Sequence, residues 1–227
     1  EGVINLFKDE NKEFSLNDPA FMEEVAKMKE KNLAVELLKK IIAEKVRTYK
    51  RTNIVQSDKF SDLLNESLKA YLNGMLTNEQ VIEELLKLAN QIKTAEEQGK
   101  ELGLSSEEKA FYDALSQPQA VKDAYSNDEL VGLTRELTNQ LRRSRTIDWQ
   151  EKESARAKMR LMVKKLLKKY HYPPEEAKNA METVIKQCEL WTDNGDAEEE
   201  IAQEAAMNIS MDDMQDYSMA AEPSVDE

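Results

Sequence analysis

The sequence predicts an all-α fold: a multi-helix bundle of about eight helices, followed by an acidic C-terminal tail. Apolar residues recur at spacings of three and four along most of the chain, which is typical of amphipathic helices. Helix-capping residues and glycines bracket these segments. No segment alternates apolar and polar residues over a convincing length, and six Gly and five Pro with 34% charged residues suit long helices with charged outer faces.

The N-terminal third contains the first helix signals. Asp18 is a predicted N-cap, and Pro19 occupies the first helical position, where its missing N–H costs nothing. The helical pattern continues to about Tyr49, with a predicted break near Asn32. The preceding residues "GVINLF" (2–7) form either an edge strand or a tail from a preceding domain.

The middle of the chain repeats one capping pattern, a Ser or Thr followed three residues later by Glu or Gln. The pairs are Thr77 with Gln80, Ser105 with Glu108, and Ser126 with Glu129. Ser57 is predicted to begin the helix that Gly74 ends. Pro118 either breaks the helix that starts after Ser105 or begins a short one.

Residues 148–176, "DWQEKESARAKMRLMVKKLLKKYHYPPEE", are predicted to be one basic amphipathic helix. Asp148 and Glu151 have the spacing of an N-cap and its N3 partner, and Pro173 with Pro174 stops the helix. A last helix runs to about Trp191. The buried stripe is expected to contain Ala155, Met159, Met162, Val163, Leu166, Leu167 and Tyr170.

The net charge of -13 is unevenly distributed. Residues 193–227 contain twelve acidic residues and no Lys or Arg, whereas residues 135–172 contain twelve Lys or Arg against four acids. The tail has the composition of a disordered chain. We therefore divide the chain into residues 1–17, a helical domain over 18–192, and an acidic tail over 193–227.

Few enzyme classes are compatible with this composition. One histidine, His171, and one cysteine, Cys188, are too few for a histidine-based metal site or a disulfide framework, so we predict no metal and no catalytic residue. Cys188 is interpreted as a small buried thiol. The scattered glycines contain no phosphate-binding motif, and no apolar run is long enough for a membrane span or a signal peptide. The chain starts at Glu1 rather than Met, which favours a piece of a longer protein.

Five cations on the basic helix recur every four residues: Lys152, Arg156, Arg160, Lys164 and Lys168. Each such like-charge neighbour costs about 0.2–0.5 kcal/mol in an isolated helix, so acidic company is expected. Four sources remain open: acids of neighbouring helices, an acidic protein partner, nucleic-acid phosphate, and the acidic tail folding back. Phosphate binding would also use Arg142, Arg143 and Arg145.

Several segments resemble one family, the R subunit of type I restriction enzymes. Residues 146–176 resemble the C-terminal signature of that subunit, and "YKRTNIVQSDKFSDLLNESLKAYLNG" (49–74) resembles the segment upstream of it. "ELGLSSEEKAFYDAL" (101–115) resembles the connecting region, and "GVINLF" followed by "MKEKNLAVELLKK" (28–40) resembles the junction with a motor domain. The segments occur in the family's order and cover about residues 1–192.

The resemblance implies a helical C-terminal part of a large ATP-dependent motor and endonuclease. It implies that residues 1–17 are a junction from a preceding motor domain, and that the rest mediates assembly with the methyltransferase and specificity subunits. ATP and Mg²⁺ would act in the parent subunit outside this region, so no cofactor is expected here, and a prokaryotic cytoplasm is the expected location. The alternative function is a DNA-backbone-contacting module built on the basic helix 148–170.

Overall fold

The computed structural model describes residues 19–144 and 152–191, and within these ranges the regular secondary structure is helical throughout. The predicted all-α class is confirmed. The described helices are α1 (Pro19–Lys27), α2 (Lys31–Thr52), α3 (Ile54–Leu72), α4 (Asn78–Glu101), α5 (Ser106–Leu115), α6 (Gln119–Ala124), α7 (Asn127–Ser144), α8 (Glu153–Lys169) and α9 (174–191).

The helices pack around two hydrophobic cores. Helices α1 to α4 bury the first core, in which Leu38, Ile42, Phe60 and Leu85 are fully enclosed. Helices α5 to α9 bury the second, whose fully enclosed side chains include Phe111. Each such side chain contributes about 1.5–3 kcal/mol relative to an exposed one, so hydrophobic burial holds each set of helices together.

A polar network joins the two cores. The buried Asp113 of α5 accepts hydrogen bonds from Asn53 Nδ2 (2.8 Å) and Gln56 Nε2 (2.9 Å), at the start of α3. Its other carboxylate oxygen pairs with Lys109, one turn earlier on α5. Gln187 of α9 reaches the same α2–α3 junction, accepting from the Ile54 N–H (2.9 Å) and donating to the Thr52 carbonyl (3.0 Å). These bonds fix α5 and α9 against the first core.

Three of the predicted caps are present. Thr77 with Gln80 and Ser105 with Glu108 form complete capping boxes, and Ser126 exchanges hydrogen bonds with Glu129 at the start of α7. Gly74 and Gly103 follow α3 and α4 with φ of 71° and 61°, the left-handed region that favours glycine.

The predicted boundaries were only partly right. The break expected near Asn32 is present at residues 28–30, so Asn32 itself is already inside α2. The residue Asn53 caps α3, because its side chain accepts from the Gln56 N–H (3.1 Å), so Ser57 lies within that helix. Of the two alternatives for Pro118, the structure has the second, a short helix that begins at Gln119.

The basic segment is not one helix. Helix α8 begins at Glu153, after Lys152 at the N-cap, and ends at Lys169; a turn over residues 170–173 then leads into α9. His171 in this turn has φ of 57°, which ends α8. The predicted capping residues Asp18, Asp148 and Glu151, the segment "GVINLF" and the acidic tail all lie outside the described residues.

Candidate interaction surface on the basic helix

Helix α8 exposes most of its cations because its apolar face is packed against the second core. Met159, Val163, Leu166 and Leu167 are buried there, as the sequence predicted. The turn after α8 is anchored by two tyrosines: the Tyr172 hydroxyl donates to the buried Leu115 carbonyl (2.6 Å), and Tyr125 donates to the Tyr170 carbonyl (2.6 Å). The orientation of the outer face of α8 is therefore fixed by the fold.

Acids on neighbouring turns and helices pair with part of the basic helix. Arg156 Nη2 lies 2.7 Å from Glu189 Oε1 of α9, with both side chains about one third exposed. Arg160 Nη1 lies 3.6 Å from Glu153 Oε1 on the same helix. Acids of the same domain, one of the four possible sources named above, therefore pair with the candidate residues Arg156 and Arg160.

The end of α8 is neutralised by Glu136 of α7. Lys169 Nζ lies 2.7 and 2.8 Å from the two Glu136 carboxylate oxygens, and the Tyr170 hydroxyl donates to Glu136 Oε2 (2.7 Å). These donors, Lys169 first and Tyr170 second, lower the pKa of the Glu136 carboxyl. The hydrogen bond to Glu136, together with burial, raises the pKa of Tyr170.

Arg142 has a structural contact that the sequence did not reveal. Its guanidinium pairs with Glu107 of α5 and lies 5.7 Å from the centre of the Trp191 ring. Trp191 Nε1 donates to the other Glu107 oxygen (2.7 Å). Arg142 therefore joins α7 to α5 and α9, whereas Arg143 is exposed and forms no ion pair within the described ranges. Arg145 lies outside them.

Four lysines of α8 are exposed and have no ion-pair partner among the residues that the structure describes. At the centre of this surface is Leu161, whose exposed fraction is 52%. A rise of about 1.5 Å and a turn of about 100° per residue place all five side chains on one side of the helix, over about 15 Å. We call this surface the lysine–leucine face: Lys158, Leu161, Lys164, Lys165 and Lys168.

The structure separates the candidate residues into different environments. Lys164 and Lys168 lie on the lysine–leucine face, and Lys152 is exposed at the N-cap of α8. Arg142, Arg156 and Arg160 take part in ion pairs. The sequence reasoning missed Leu161 as a site residue, although its position off the apolar stripe was a readable signal of exposure.

A polar cleft of about 780 Å³ lies elsewhere, between α3, α4, α5 and α7. Asp113 lines it, but its carboxylate is already held by Asn53, Gln56 and Lys109. No group of three or more His, Cys, Asp or Glu side chains within the described ranges could hold a metal ion. His171 is exposed and Cys188 is buried. Across the described helices, none is both long enough and apolar enough to cross a membrane.

Comparison with known proteins places the chain in a family. The family model described as "Type I restriction enzyme HindI endonuclease subunit-like, C-terminal" matches residues 1–194. The chain is 40% identical over 192 residues to the type I restriction enzyme HindI endonuclease subunit of Haemophilus influenzae, covering 83% of this chain and 18% of that protein. No solved structure gives a significant match.

A second relative comes from an archaeon. The chain is 33% identical over 174 residues to the putative type I restriction enzyme MjaIXP endonuclease subunit of Methanocaldococcus jannaschii, covering 74% of this chain and 16% of that protein. The chain thus spans less than one fifth of the length of either relative. The matched residues 1–194 include every described helix, and on this basis the chain belongs to the family of C-terminal regions of HindI-like type I restriction enzyme endonuclease subunits.

Proposed function

We propose that this chain is the assembly region of a restriction endonuclease subunit, which binds the methyltransferase and specificity subunits through the lysine–leucine face. The observation that supports this most directly is the set of four exposed lysines left without acidic partners by the described residues, around a half-exposed Leu161. An acidic protein partner would supply the missing charges and cover the leucine.

A protein partner explains Leu161 better than a phosphate does. Protein interfaces commonly have an apolar centre from which water is excluded, with a charged or polar rim around it. Leu161 surrounded by lysines has that arrangement. The lysines would speed association with an acidic surface and fix its orientation, while burial of the leucine would contribute to the lifetime of the complex.

The catalytic steps are assigned to other parts of the parent subunit. ATP hydrolysis with Mg²⁺, DNA translocation and DNA cleavage would take place in regions that this chain does not include, within a prokaryotic cytoplasm. The matched relatives are more than five times longer than the region they share with this chain, which leaves room for such domains.

Retention on the partner subunits tests the proposal. The 227-residue chain is mixed with the methyltransferase–specificity core of the same restriction system and analysed by size-exclusion chromatography. We expect co-elution with the core, and no ATP hydrolysis or DNA cleavage by the chain alone. Elution as two separate species at concentrations of about 10 μM would contradict a contact of ordinary affinity.

The exposed lysines also favour a second candidate function, contact with the DNA backbone. Four lysines that neutralise four phosphates would give a dependence of log K on log salt concentration with a slope of about −3.6. Duplex DNA binding with such a slope, which Lys164→Gln weakens and Leu161→Gln leaves unchanged, would favour DNA over a protein partner. No binding to DNA at low salt would remove this candidate.

A further inference from the structure

We propose that the acidic segment of residues 193–227 binds the lysine–leucine face of its own chain. The first reason is that no acidic side chain among the described residues pairs with the lysines of this face. Lys164 and Lys168 are four residues apart on α8, and Lys165 and Lys168 are three apart. Like charges at these helical spacings repel each other, so nearby carboxylates would stabilise the face.

The C-terminal segment has the complementary composition. Residues 193–227 contain twelve acidic residues and no Lys or Arg. Within them, "MDDMQDYSM" (211–219) places three aspartates among three methionines and a tyrosine. The aspartates would pair with the lysines, and a methionine or the tyrosine would cover Leu161. Methionine suits this role because its flexible thioether adapts to irregular apolar surfaces.

The last described helix, α9, ends close to the beginning of α8. The Arg156–Glu189 pair (2.7 Å) holds the last turns of α9 beside the first turns of α8. Residues 192–210 could span up to about 60 Å, whereas the face extends only about 15 Å along α8. A tether of this length gives an effective concentration on the order of millimolar, so a weak contact suffices for binding within one chain.

The acidic segment lies outside the region matched by the family from residue 195 onward. The family model ends at residue 194, so residues 211–219 are not part of that match. If the lysine–leucine face binds the methyltransferase–specificity core, a step that rests on the proposed function, the acidic segment competes with the core. A segment that is docked nine-tenths of the time would weaken the apparent affinity for the core about tenfold.

Carbodiimide cross-linking of the full chain tests the docking without any partner. This reagent joins a lysine amine to a carboxylate only where the two are in contact. We expect amide cross-links from Lys164, Lys165 or Lys168 to Asp212, Asp213 or Asp216 at about 20 mM salt, and their loss at about 500 mM. Their yield should not depend on protein concentration.

Matched controls keep this test decisive. Lys40 and Lys50 of α2 are also exposed and lack an ion-pair partner among the described residues, so they should not form cross-links to residues 211–219. Leu161→Gln should lower the yield several-fold. Cross-links spread evenly over all exposed lysines, or a yield that rises with concentration, would overturn docking within one chain.

A second measurement separates this inference from the proposed function. The variant Asp212→Asn/Asp213→Asn/Asp216→Asn should bind the core about tenfold more tightly than the unmodified chain. Unchanged affinity, with the cross-links present, would overturn the competition. Failure of both chains to bind the core would contradict the proposed function and leave the docking result standing.

Discussion

Arg156 Nη2 on α8 lies 2.7 Å from Glu189 Oε1 on α9. The cations of this region form two sets, those with a carboxylate partner inside the domain and those without one among the described residues. Arg156, Arg160 and Lys169 have carboxylate partners inside the domain. The lysines of the lysine–leucine face have none among the described residues. Arg156 and Lys169 pair with α9 and α7 and so stabilise the packing of α8, whereas the lysines of the lysine–leucine face are available to a partner.

A double-mutant cycle measures the stabilising pair. Arg156→Ala, Glu189→Ala and the double variant should give a coupling free energy of about 1 kcal/mol, because the two side chains are only about one third exposed. The free energies of unfolding come from urea denaturation. The same cycle on Arg160 and Glu153, which are more exposed and 3.6 Å apart, should give about 0–0.5 kcal/mol. Equal coupling free energies for the two pairs would contradict the expectation that the less exposed Arg156–Glu189 pair is the stronger one.

The buried carboxylate of Asp113 should be among the most sensitive positions. Asp113→Ala would leave the buried Lys109 ammonium and two amide groups without their acceptor, and should destabilise the fold by about 3–5 kcal/mol. Lys109→Met should cost less, about 1–3 kcal/mol, because Asp113 keeps the donors Asn53 and Gln56. Chemical denaturation of both variants checks this order. A larger loss of stability for Lys109→Met than for Asp113→Ala would mean that the ion pair, and not the hydrogen bonds from the two amides, dominates the network.

The free energy of unfolding should depend on pH because the ionisation of Glu136 differs between the folded and unfolded chain. The hydrogen bonds from Lys169 and Tyr170 lower the pKa of this carboxyl in the folded protein. Its contribution is therefore present above the unfolded-state pKa, about 4.3, and is lost as the pH falls through the lower folded pKa. The stability difference between the natural chain and Glu136→Gln should be largest near about pH 7 and shrink toward about pH 3. A difference that stays constant over this range would refute the assignment.

Local signals predicted the helices better than their boundaries. The capping boxes at Thr77 and Ser105 involve residues three apart, so the sequence contains the whole interaction. The start of α3 was misplaced because Asn53, which also bonds to Asp113 sixty residues away, outcompetes Ser57 as the cap. Helix α8 begins at Glu153 instead of directly after Asp148, because cap spacing alone does not fix where a helix begins.

The cations of the candidate surface were readable from the sequence, but their partners were not. Arg156 with Glu189 and Lys169 with Glu136 are each separated by 33 residues, and only the packing of α7, α8 and α9 brings them together. Helical spacing could place Lys164 and Lys168 on one side of α8, but it could not show which cations the domain would neutralise. Which cations have an acidic partner inside the domain depends on tertiary contacts.

The most direct test compares a charge-reversal variant of the lysine–leucine face with a matched variant of α2. Lys164→Glu/Lys165→Glu changes two exposed lysines of the face, and Lys40→Glu/Lys50→Glu makes the same change on α2. Both variants should keep the helical circular dichroism spectrum of the unmodified chain, because all four side chains are exposed. Any difference in binding then reflects the position of the charge.

The decisive measurement is the dissociation constant of each 227-residue variant for the methyltransferase–specificity core, determined by titration calorimetry. Both variants also carry Asp212→Asn/Asp213→Asn/Asp216→Asn, and so does the reference chain, so that docking of residues 211–219 does not offset the effect. We predict that Lys164→Glu/Lys165→Glu weakens binding about tenfold or more, while Lys40→Glu/Lys50→Glu changes it by less than about twofold. Equal affinities for the two variants would contradict the claim that the lysine–leucine face is the contact surface.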